Sequence, residues 1–352
     1  MRLLIAGGGT GGHLYPALAV ARAFRADEPG GAVLLVGRKG GPEERAVPAA
    51  GFDLETVRMR GLDRDAPWKN LALPALIPLA LRSALHLVDR FRPDVVLGMG
   101  GYVMAPAVAA ARMRRIPYVL HEKDVRPGLA TRYFAVNAAA ICTTLPGTDK
   151  RLPNGRVFQT GVPLREGFEP RTPEVPPRRL LITGGSQGAR RLNQVVWSAL
   201  DGLCERFEEV VHVAGEQGAE GLARYARDRY RGIAFTDEMA ALMARADLIV
   251  SRAGVGTIAE ATAVGLPMVL VPGKFGGGHQ EENAEAMVAA GTAIRISDDA
   301  ITGDSLLRAL DGLDGERLRA MARASAAAGR RDAAQRVVAV LHEVAENQMD
   351  KS

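Results

Sequence analysis

Residues 1–16 read MRLLIAGGGTGGHLYP and contain the pattern that decides the fold. The short apolar run at residues 3–6 is typical of a strand buried in a parallel sheet. A glycine-rich turn follows at residues 7–12, and residues 17–26 are rich in helix-forming side chains. In such a strand–turn–helix unit, backbone N–H groups and the helix N-terminus face a bound anion. His13 stands where the helix is expected to begin, which would place a titratable imidazole beside a phosphate cradle.

The same pattern returns in the second half of the chain. Three segments recur in the same order: RLLIAGG (2–8) as RLLITGG (179–185), PDVVLGMG (93–100) as ADLIVSRA (246–253), and IPYVL (116–120) as LPMVL (266–270). This repetition predicts two copies of a βαβ-type unit, each with its own parallel sheet. Between the copies, EPRTPEVPPR is rich in proline and charge, which is typical of a linker.

A chain of 352 residues is longer than one ordinary core, so two domains are expected. The predicted organisation is an α/β protein with an N-terminal domain at 1–168, a linker at 169–178 and a second domain at 179–330. A C-terminal helix and tail at 331–352 would pack back on the first domain. Because ligands bind beyond the carboxyl ends of parallel strands, two such domains facing across a cleft would carry glycine turns on both walls.

The bulk composition describes an ordinary globular protein with a basic balance. A net charge of +5 and a pI of about 9.4 fit a phosphorylated substrate, an anionic membrane or a nucleic acid. With 5% aromatics and no interleaving of basic and aromatic residues, nucleic acid is the weakest of the three, and we expect none as a partner. Cys142 and Cys204 lack metal-ligand spacing and are interpreted as buried thiols in a reducing cytoplasm. We expect neither a signal peptide nor a membrane-spanning segment.

The first glycine turn formally fits the dinucleotide fingerprint at Gly7, Gly9 and Gly12. That fingerprint also needs an acidic residue at the end of the second strand, where this chain reads VGRK at 36–39. Arg38 would suit the 2′-phosphate of NADP, so a dehydrogenase is a minority interpretation. The repeated unit with its second glycine turn favours a two-domain transferase.

Six longer motifs carry a resemblance to one enzyme family. They are GGGTGGHLYPALAVA, GMGGYVMAPAVAAA, IPYVLHEKD, GGSQGARRLN, SRAGVGTIAEATAVGLPMVLVP and HQEENA, in order over residues 1 to about 290. They resemble the motifs of the N-acetylglucosamine transferases of glycosyltransferase family 28 that make lipid II. The resemblance implies the GT-B fold, with two Rossmann-like domains, and inverting transfer without a metal or other cofactor. It also implies UDP-N-acetylglucosamine as donor, undecaprenyl-pyrophosphoryl-MurNAc-pentapeptide as acceptor, and peripheral attachment to the cytoplasmic face of the cell membrane.

The resemblance also implies which residues bind the donor. Ser186, Gln187 and Gly188 would hold its diphosphate, Glu260 its ribose hydroxyls, and the backbone near Thr236 its uracil. The other implied contacts are Arg165, Val255, Gly256, Thr257, Ile258, Ala259, His279 and Gln280. Structural alternatives stand beside these roles: Ser186 is a suitable N-cap, and Glu260 is favourable near a helix N-terminus. Arg165 could be a surface cation, and the residues around Gln280 a solvated loop.

His13 is the candidate general base, since transfer requires a proton to leave the acceptor hydroxyl and histidine suits that role. Equally open is that His13 orients the acceptor diphosphate or caps the helix. His121 and Glu122, predicted at a strand end, are competing or supporting acid–base groups. Thr10, Gly11 and Gly12 of the first turn complete the candidate site.

Two motifs depart from the family pattern. HEQN is replaced by residues 121–124, HEKD, so that Asp124 takes the place of an asparagine. GNPVR is replaced by GVPLR at 161–165, so that Val162 takes the place of a second asparagine. Aspartate loses the amide donor but still accepts from hydroxyl groups, so these changes bear on sugar selectivity.

Residues 68–82 are interpreted as a membrane contact. Trp68 and several leucines are flanked by Lys69 and Arg82, with further arginines at 58, 60 and 64. A helix packed on its own sheet is the alternative.

Other functions also remain open. A different GT-B enzyme, such as a glycolipid glycosyltransferase or a UDP-GlcNAc epimerase, would share the same pattern. So would a nucleotide-sugar-binding module without turnover.

Overall fold

The computed structural model describes residues 1–61, 67–153, 155–185, 188–274 and 278–349. The chain divides into two compact units. The first comprises Met1–Arg165 together with Asp332–Ser352, and the second comprises Glu166–Arg331.

The first unit is built on a seven-stranded parallel sheet. Its strands are β1 (Arg2–Ala6), β2 (Ala32–Arg38), β3 (Asp53–Val57), β4 (Val95–Gly98), β5 (Tyr118–Glu122), β6 (Ala140–Thr143) and β7 (Val157–Gln159), in the order β3-β2-β1-β4-β5-β6-β7. Its helices before the second unit are α1 (Gly11–Asp27), α2 (Glu43–Ala49), α3 (Leu73–Phe91), α4 (Met104–Met113) and α5 (Leu129–Phe134). The strand order reverses direction between β1 and β4, which is where open parallel sheets bind ligands.

The second unit repeats this order in a six-stranded parallel sheet. Its strands are β8 (Arg179–Thr183), β9 (Glu209–Val213), β10 (Tyr230–Ile233), β11 (Leu248–Ser251), β12 (Met268–Leu270) and β13 (Ala293–Arg295), in the order β10-β9-β8-β11-β12-β13. Its helices are α6 (Arg190–Ser198), α7 (Leu200–Arg206), α8 (Ala219–Leu222), α9 (Met239–Arg245), α10 (Val255–Val264), α11 (His279–Ala289), α12 (Gly303–Asp311) and α13 (Gly315–Ala328). The prediction of two parallel-sheet units from the repeated segments is confirmed.

The central strand β1 is buried on both faces of its sheet. Leu3 and Ile5 belong to the core cluster on one face, and Leu4 and Ala6 belong to the cluster on the other, all with no exposed area. This two-sided burial explains the unbroken apolar run in the sequence. The last helix, α14 (Ala333–Met349), packs on α1 and adds Val337 and Leu341 to the first of these clusters.

One predicted helix differs in the structure. Pro74 and Pro78 predict a run that is either broken or begins its main helix near Pro78, whereas α3 begins at Leu73 and continues past both prolines. Pro74 lies in the first turn, where a missing N–H costs nothing, and Pro78 removes one hydrogen bond on the exposed side of the helix. The part of the chain that the structure describes has no helix long and apolar enough to cross a membrane.

Asp247 anchors the proline-rich segment to the second unit. Its carboxylate has no exposed area and accepts hydrogen bonds from the backbone N–H groups of Glu174, Arg178 and Arg179, at 3.0–3.1 Å. It also pairs with the guanidinium groups of Arg171 and Arg179. These hydrogen bonds hold the pKa of Asp247 below its usual value despite burial, which by itself raises the pKa.

Candidate active site

The turn after β1 leads directly into α1. Thr10 is the N-cap in an extended conformation, and its carbonyl oxygen accepts from the N–H groups of His13 and Leu14, both at 3.1 Å. Gly9 has a φ of +82°, which glycine adopts without strain. The first turn of α1 contains no acidic residue and no side-chain cap hydrogen bond. The positive end of this 17-residue helix is therefore not neutralised by its own side chains.

His13 lies between the ends of β1 and β4. Its Nδ1 is 2.9 Å from the carbonyl oxygen of Met99, and its ring packs against the backbone of Gly100 and Gly101, which both have positive φ. A Cβ atom at either glycine would approach the ring to 3.1–3.3 Å. Burial, followed by the charge of Lys123, lowers the pKa of His13 to about 4. The imidazole is thus neutral near pH 7.

His121 and Glu122 are the last residues of β5, and both are buried. The Nε2 of His121 is 3.1 Å from the carbonyl oxygen of Gly161, and burial lowers the pKa of this ring to about 4. The carboxylate of Glu122 accepts from the N–H groups of Asp124 and Gly128, at 3.1 and 3.0 Å. Burial raises the pKa of Glu122. Backbone groups hold both side chains, and the side chain of Thr131 also hydrogen-bonds to Glu122.

Lys123 and Asp124 form an ion pair of 2.7 Å, with side chains 25% and 18% exposed. Asp124 stands where the family pattern has an asparagine, so its added charge is balanced by the preceding lysine. The Cε of Lys123 lies 4.0 Å from where a Cβ of Gly12 would be. The structure therefore brings residues 121–124 together with the N-terminus of α1.

Arg165 is the last residue of the first unit. Its guanidinium carbon lies 4.8 Å from the centre of the Tyr15 ring, in a cation–π contact. Arg165 is thereby placed beside α1. Val162, which replaces the second family asparagine, is buried.

In the second unit, the glycine turn follows β8. Ser186 and Gln187 lie outside the described residues, whereas Gly188 is described, with a φ of +75°. A side chain at Gly188 would overlap the carbonyl oxygen of Ala214, so the turn is pressed against the end of β9.

Six other predicted donor contacts, residues 255–260, lie at the start of α10, after β11. Val255 and Ile258 are buried and Gly256 is exposed, whereas Thr257, Ala259 and Glu260 are half-buried. Gly254 is the N-cap, and no side chain caps the helix. The ends of β8 and β11 are adjacent in the sheet, which places this helix beside the turn that contains Gly188.

His279 and Gln280 begin α11, so they are helical and not part of a solvated loop. The amide oxygen of Gln280 accepts from Gly273 N–H at 2.8 Å, and Asn283 donates to the carbonyl oxygen of Ala253 at 3.2 Å. Asn283 thus joins α11 to the turn before α10. Thr236 follows β10, and its hydroxyl accepts from Glu238 N–H at 2.9 Å.

Sequence reasoning missed two buried groups in the second unit. Arg252, at the end of β11, is 6% exposed and donates to Val271 O and to Asp298 Oδ1, at 3.0 and 2.6 Å. It holds the turn before α10. The sequence signal that could have revealed Arg252 is a cation directly after an apolar strand.

The second missed group is a hydrogen-bonded network centred on His212, which is fully buried in β9. Its Nε2 is 3.1 Å from Asn193 Oδ1, and its Nδ1 is 3.0 Å from the Tyr230 hydroxyl. Asn193 in turn donates to Ala214 O at 2.8 Å, the carbonyl that faces Gly188. Burial lowers the pKa of His212 to about 4. No sequence motif marks this network, because its members come from three separate elements.

Family comparisons define the class of protein. The glycosyltransferase family 28 N-terminal domain matches residues 3–143, and the glycosyltransferase family 28 C-terminal domain matches residues 179–337. The crystal structure of MurG from Acinetobacter baumannii superposes with a TM-score of 0.80 at 27% identity, over 97% of this chain and 99% of that one. A putative UDP-N-acetylglucosamine 2-epimerase from Listeria monocytogenes has a TM-score of 0.73 at 16% identity, over 100% and 97%, and shows only the shared fold. The fold is that of a GT-B glycosyltransferase.

Full-length relatives give the particular family. A Nocardioides protein is 38% identical over 98% of both chains, and a Thermobifida fusca protein is 39% identical over 95% of this chain and 91% of its own. Both are named UDP-N-acetylglucosamine–N-acetylmuramyl-(pentapeptide) pyrophosphoryl-undecaprenol N-acetylglucosamine transferase. The chain belongs to this family of hexosyltransferases, which confirms the resemblance found in the sequence motifs.

Proposed function

We propose that this chain transfers N-acetylglucosamine from UDP-N-acetylglucosamine to the 4-hydroxyl of undecaprenyl-pyrophosphoryl-MurNAc-pentapeptide (lipid I), giving lipid II for peptidoglycan. The observation that carries the proposal is the identity of 38% with a transferase of this name over 98% of both chains. The site geometry supports it, because acid–base side chains gather in the first unit and helix N-termini in the second.

His13 acts as the general base. The hydrogen bond to Met99 O requires the proton on Nδ1, which leaves the lone pair of Nε2 to accept the proton of the acceptor hydroxyl. The hydroxyl oxygen forms its bond to the anomeric carbon from the face opposite UDP. As that bond forms, the bond from the anomeric carbon to UDP breaks, and its electron pair leaves with the diphosphate. An acceptor diphosphate bound at the α1 N-terminus would favour the imidazolium, and so raise the pKa of His13 from its low value in the free protein.

His121 and Glu122 are positioning residues in this proposal. Both are at most 5% exposed, and each forms a hydrogen bond with a backbone group of a neighbouring loop. Their role is to fix the loop after β5, so that Asp124 accepts from acceptor or donor hydroxyls.

The second unit binds the donor. The diphosphate lies against Ser186, Gln187 and Gly188, the uracil against the backbone at Thr236, and the ribose diol against Glu260. Backbone groups at 255–259 complete the nucleotide site, with Arg165, His279 and Gln280 near the sugar. Because the amide oxygen of Gln280 accepts from Gly273, its NH₂ group is the part that can donate to a sugar hydroxyl. Backbone N–H groups stabilise the departing UDP, without a bound metal.

The protein attaches peripherally to the cytoplasmic face of the membrane through the region before and along α3. Trp68, Leu71 and Leu79 are 68%, 83% and 63% exposed, Ile77 is half-exposed, and Arg82 is exposed beside them. Apolar side chains flanked by cations suit an anionic lipid surface. Of the other predicted cations, the side chain of Lys69 and residue 64 lie outside the described structure.

The test is an assay with UDP-N-acetylglucosamine and a short-chain lipid I analogue. We expect a disaccharide product with inverted anomeric configuration, formed only when both substrates are present. Epimerised UDP-sugar without an acceptor, or tight UDP binding without turnover, would contradict the proposal.

A further inference from the structure

A carboxylate lies buried beneath the first glycine turn. Glu43, the first residue of α2, is 1% exposed, and its Oε1 accepts a hydrogen bond from the N–H of Gly9. Among the described residues, its Oε2 has no hydrogen-bond partner and no cation pairs with it. A buried, unpaired carboxylate is costly, so its place against the turn calls for a physical reason.

Three glycines make room for this one side chain. A Cβ atom at Gly8 would overlap Oε1 of Glu43, and one at Gly41 would overlap Oε2. At Gly37, a Cβ atom would lie 2.7 Å from the Cβ of Glu43. These glycines come from the turn after β1 and from the end of β2 and its following turn. The space that this one side chain occupies thus explains why three positions in two segments are glycine. The same side chain links the two turns.

The hydrogen bond from Gly9 determines how the turn enters α1. With its N–H directed to Glu43, Gly9 takes its positive φ, and Thr10 follows in the extended N-cap conformation. The Thr10 carbonyl then accepts from His13 N–H, which begins the helix and sets where the His13 ring projects. The N–H of Gly9 is therefore engaged within the protein, so a bound anion meets the turn at Gly11 and Gly12 instead.

We propose that Glu43 is a positioning residue for the acceptor half of the reaction, holding the glycine turn and, through it, the His13 ring. This inference rests on the proposed function for its kinetic readout. In this proposal, Glu43 acts through Gly9 and Thr10 and contacts neither substrate.

The test compares Glu43→Ala and Glu43→Gln. The amide oxygen of glutamine can still accept from Gly9, so Glu43→Gln should keep kcat within about 5-fold of the wild-type value. Glu43→Ala removes the acceptor and should lower kcat by about 10²-fold, the scale expected for a misplacement of about 1 Å in a catalytic group. The affinity for UDP, whose site lies in the other unit, should stay within about 2-fold for both variants.

Glu44→Ala is the matched control. Glu44 is the exposed neighbour of Glu43 on α2. Its carboxylate accepts from the N–H of Gly40 at 2.9 Å, in the turn after β2, and not from the turn after β1 that contains Gly9. It should leave kcat unchanged. Folded Glu43→Ala with wild-type kcat would overturn the proposal, and so would a Glu43→Gln variant as impaired as Glu43→Ala.

A second readout does not depend on the reaction. The pKa of His13 can be measured by NMR titration, with the resonance assigned by its loss in His13→Gln. It should be about 4 in the wild type. In Glu43→Ala it should move towards its ordinary value of 6.5, because burial is the main cause of the low value and a displaced ring is less buried. In Glu44→Ala it should not move. If Glu43→Ala does not fold, the smaller perturbation Gly41→Ala, which displaces the carboxylate, should move the same titration. An unchanged His13 titration overturns the positioning role, whereas absent transfer by the wild type overturns only the proposed function.

Discussion

The two units share one strand order but stabilise their glycine turns in different ways. In the first unit, the buried carboxylate of Glu43 holds the turn, and the ionisable His13 follows it. In the second unit, Gly188 packs against Ala214 O, which is fixed by the neutral network of Asn193 and His212. A duplicated fold has thus been given acid–base side chains in one copy and a turn without them in the other. This difference matches the proposed function, in which the first copy moves protons and the second binds the nucleotide.

The largest expected effect comes from His13→Ala. If the first unit supplies the general base, kcat should fall by about 10²–10⁴-fold, because an unassisted hydroxyl is a poor nucleophile. The affinity for UDP, measured by calorimetry, should not change. His342→Ala on α14, which removes another histidine of the first unit, is the control and should keep full activity. Full activity in His13→Ala would remove the distinction between the two units.

Glu260→Ala should have the opposite kinetic signature. Loss of a charged acceptor for the ribose hydroxyls should raise the KM for UDP-N-acetylglucosamine by about 10–100-fold, with a smaller change in kcat. Steady-state kinetics with the donor varied gives both values. Glu205→Ala, an exposed carboxylate on α7, should behave as the wild type. A loss confined to kcat would show that the second unit takes part in the chemistry.

The buried histidines predict a loss of stability in acid. Burial lowers the pKa of His212 from its ordinary value of 6.5 to about 4 in the folded protein, so the unfolded chain binds more protons between these pH values. Its contribution to the free energy of unfolding is therefore present above pH 6.5. It should fall by up to about 1.4 kcal/mol per pH unit as the pH drops towards 4, which is about tenfold in the unfolding equilibrium.

Urea unfolding can be followed in a Trp68→Phe background, where Trp197 is the only tryptophan and contacts the Tyr230 hydroxyl at 3.1 Å. His212→Gln should reduce the pH dependence of this signal, whereas His13→Gln should reduce it less because His13 belongs to the other unit. Equal effects of the two substitutions would mean that the units unfold together.

The smallest effect concerns the membrane. Ile77→Ser should weaken binding to anionic vesicles by about 5-fold, since burying half of such a side chain is worth about 1 kcal/mol. Vesicle co-sedimentation measures this partition. Val288→Ser, at a comparably exposed apolar residue of the second unit, should leave binding unchanged. Equal losses from both would assign membrane contact to both units.

The sequence predicts the sheets of this protein well and the supports of its site poorly. Parallel strands buried on both faces are apolar runs, and glycine turns mark their ends, so RLLIAGG and its repeat are readily recognised. In contrast, α2 was missed because EERAVPA is short, polar and contains a proline. Glu43, the first residue of α2, was therefore missed as well, because its role depends on glycines from two other segments.

The residues of the candidate site in the first unit were predicted only as far as local motifs extend. His13 and residues 121–124 belong to recognisable stretches, and the structure brings them together through the order of β1, β4 and β5. The tautomer of His13, the burial of His121 and the ion pair that balances Asp124 depend on contacts between distant segments. These features had no signal in the sequence.

The anchoring of Asp247 determines where this protein can be cut for separate study. A fragment starting at the β8 residue Arg179 would lack Arg171 and the N–H groups of Glu174 and Arg178, and would leave the buried carboxylate of Asp247 with Arg179 as its remaining partner. Removing the partners of such a charge typically costs about 3–5 kcal/mol, a large part of the stability of a domain. A fragment intended for crystallography or NMR of the second unit should therefore begin before the prolines, near residue 166.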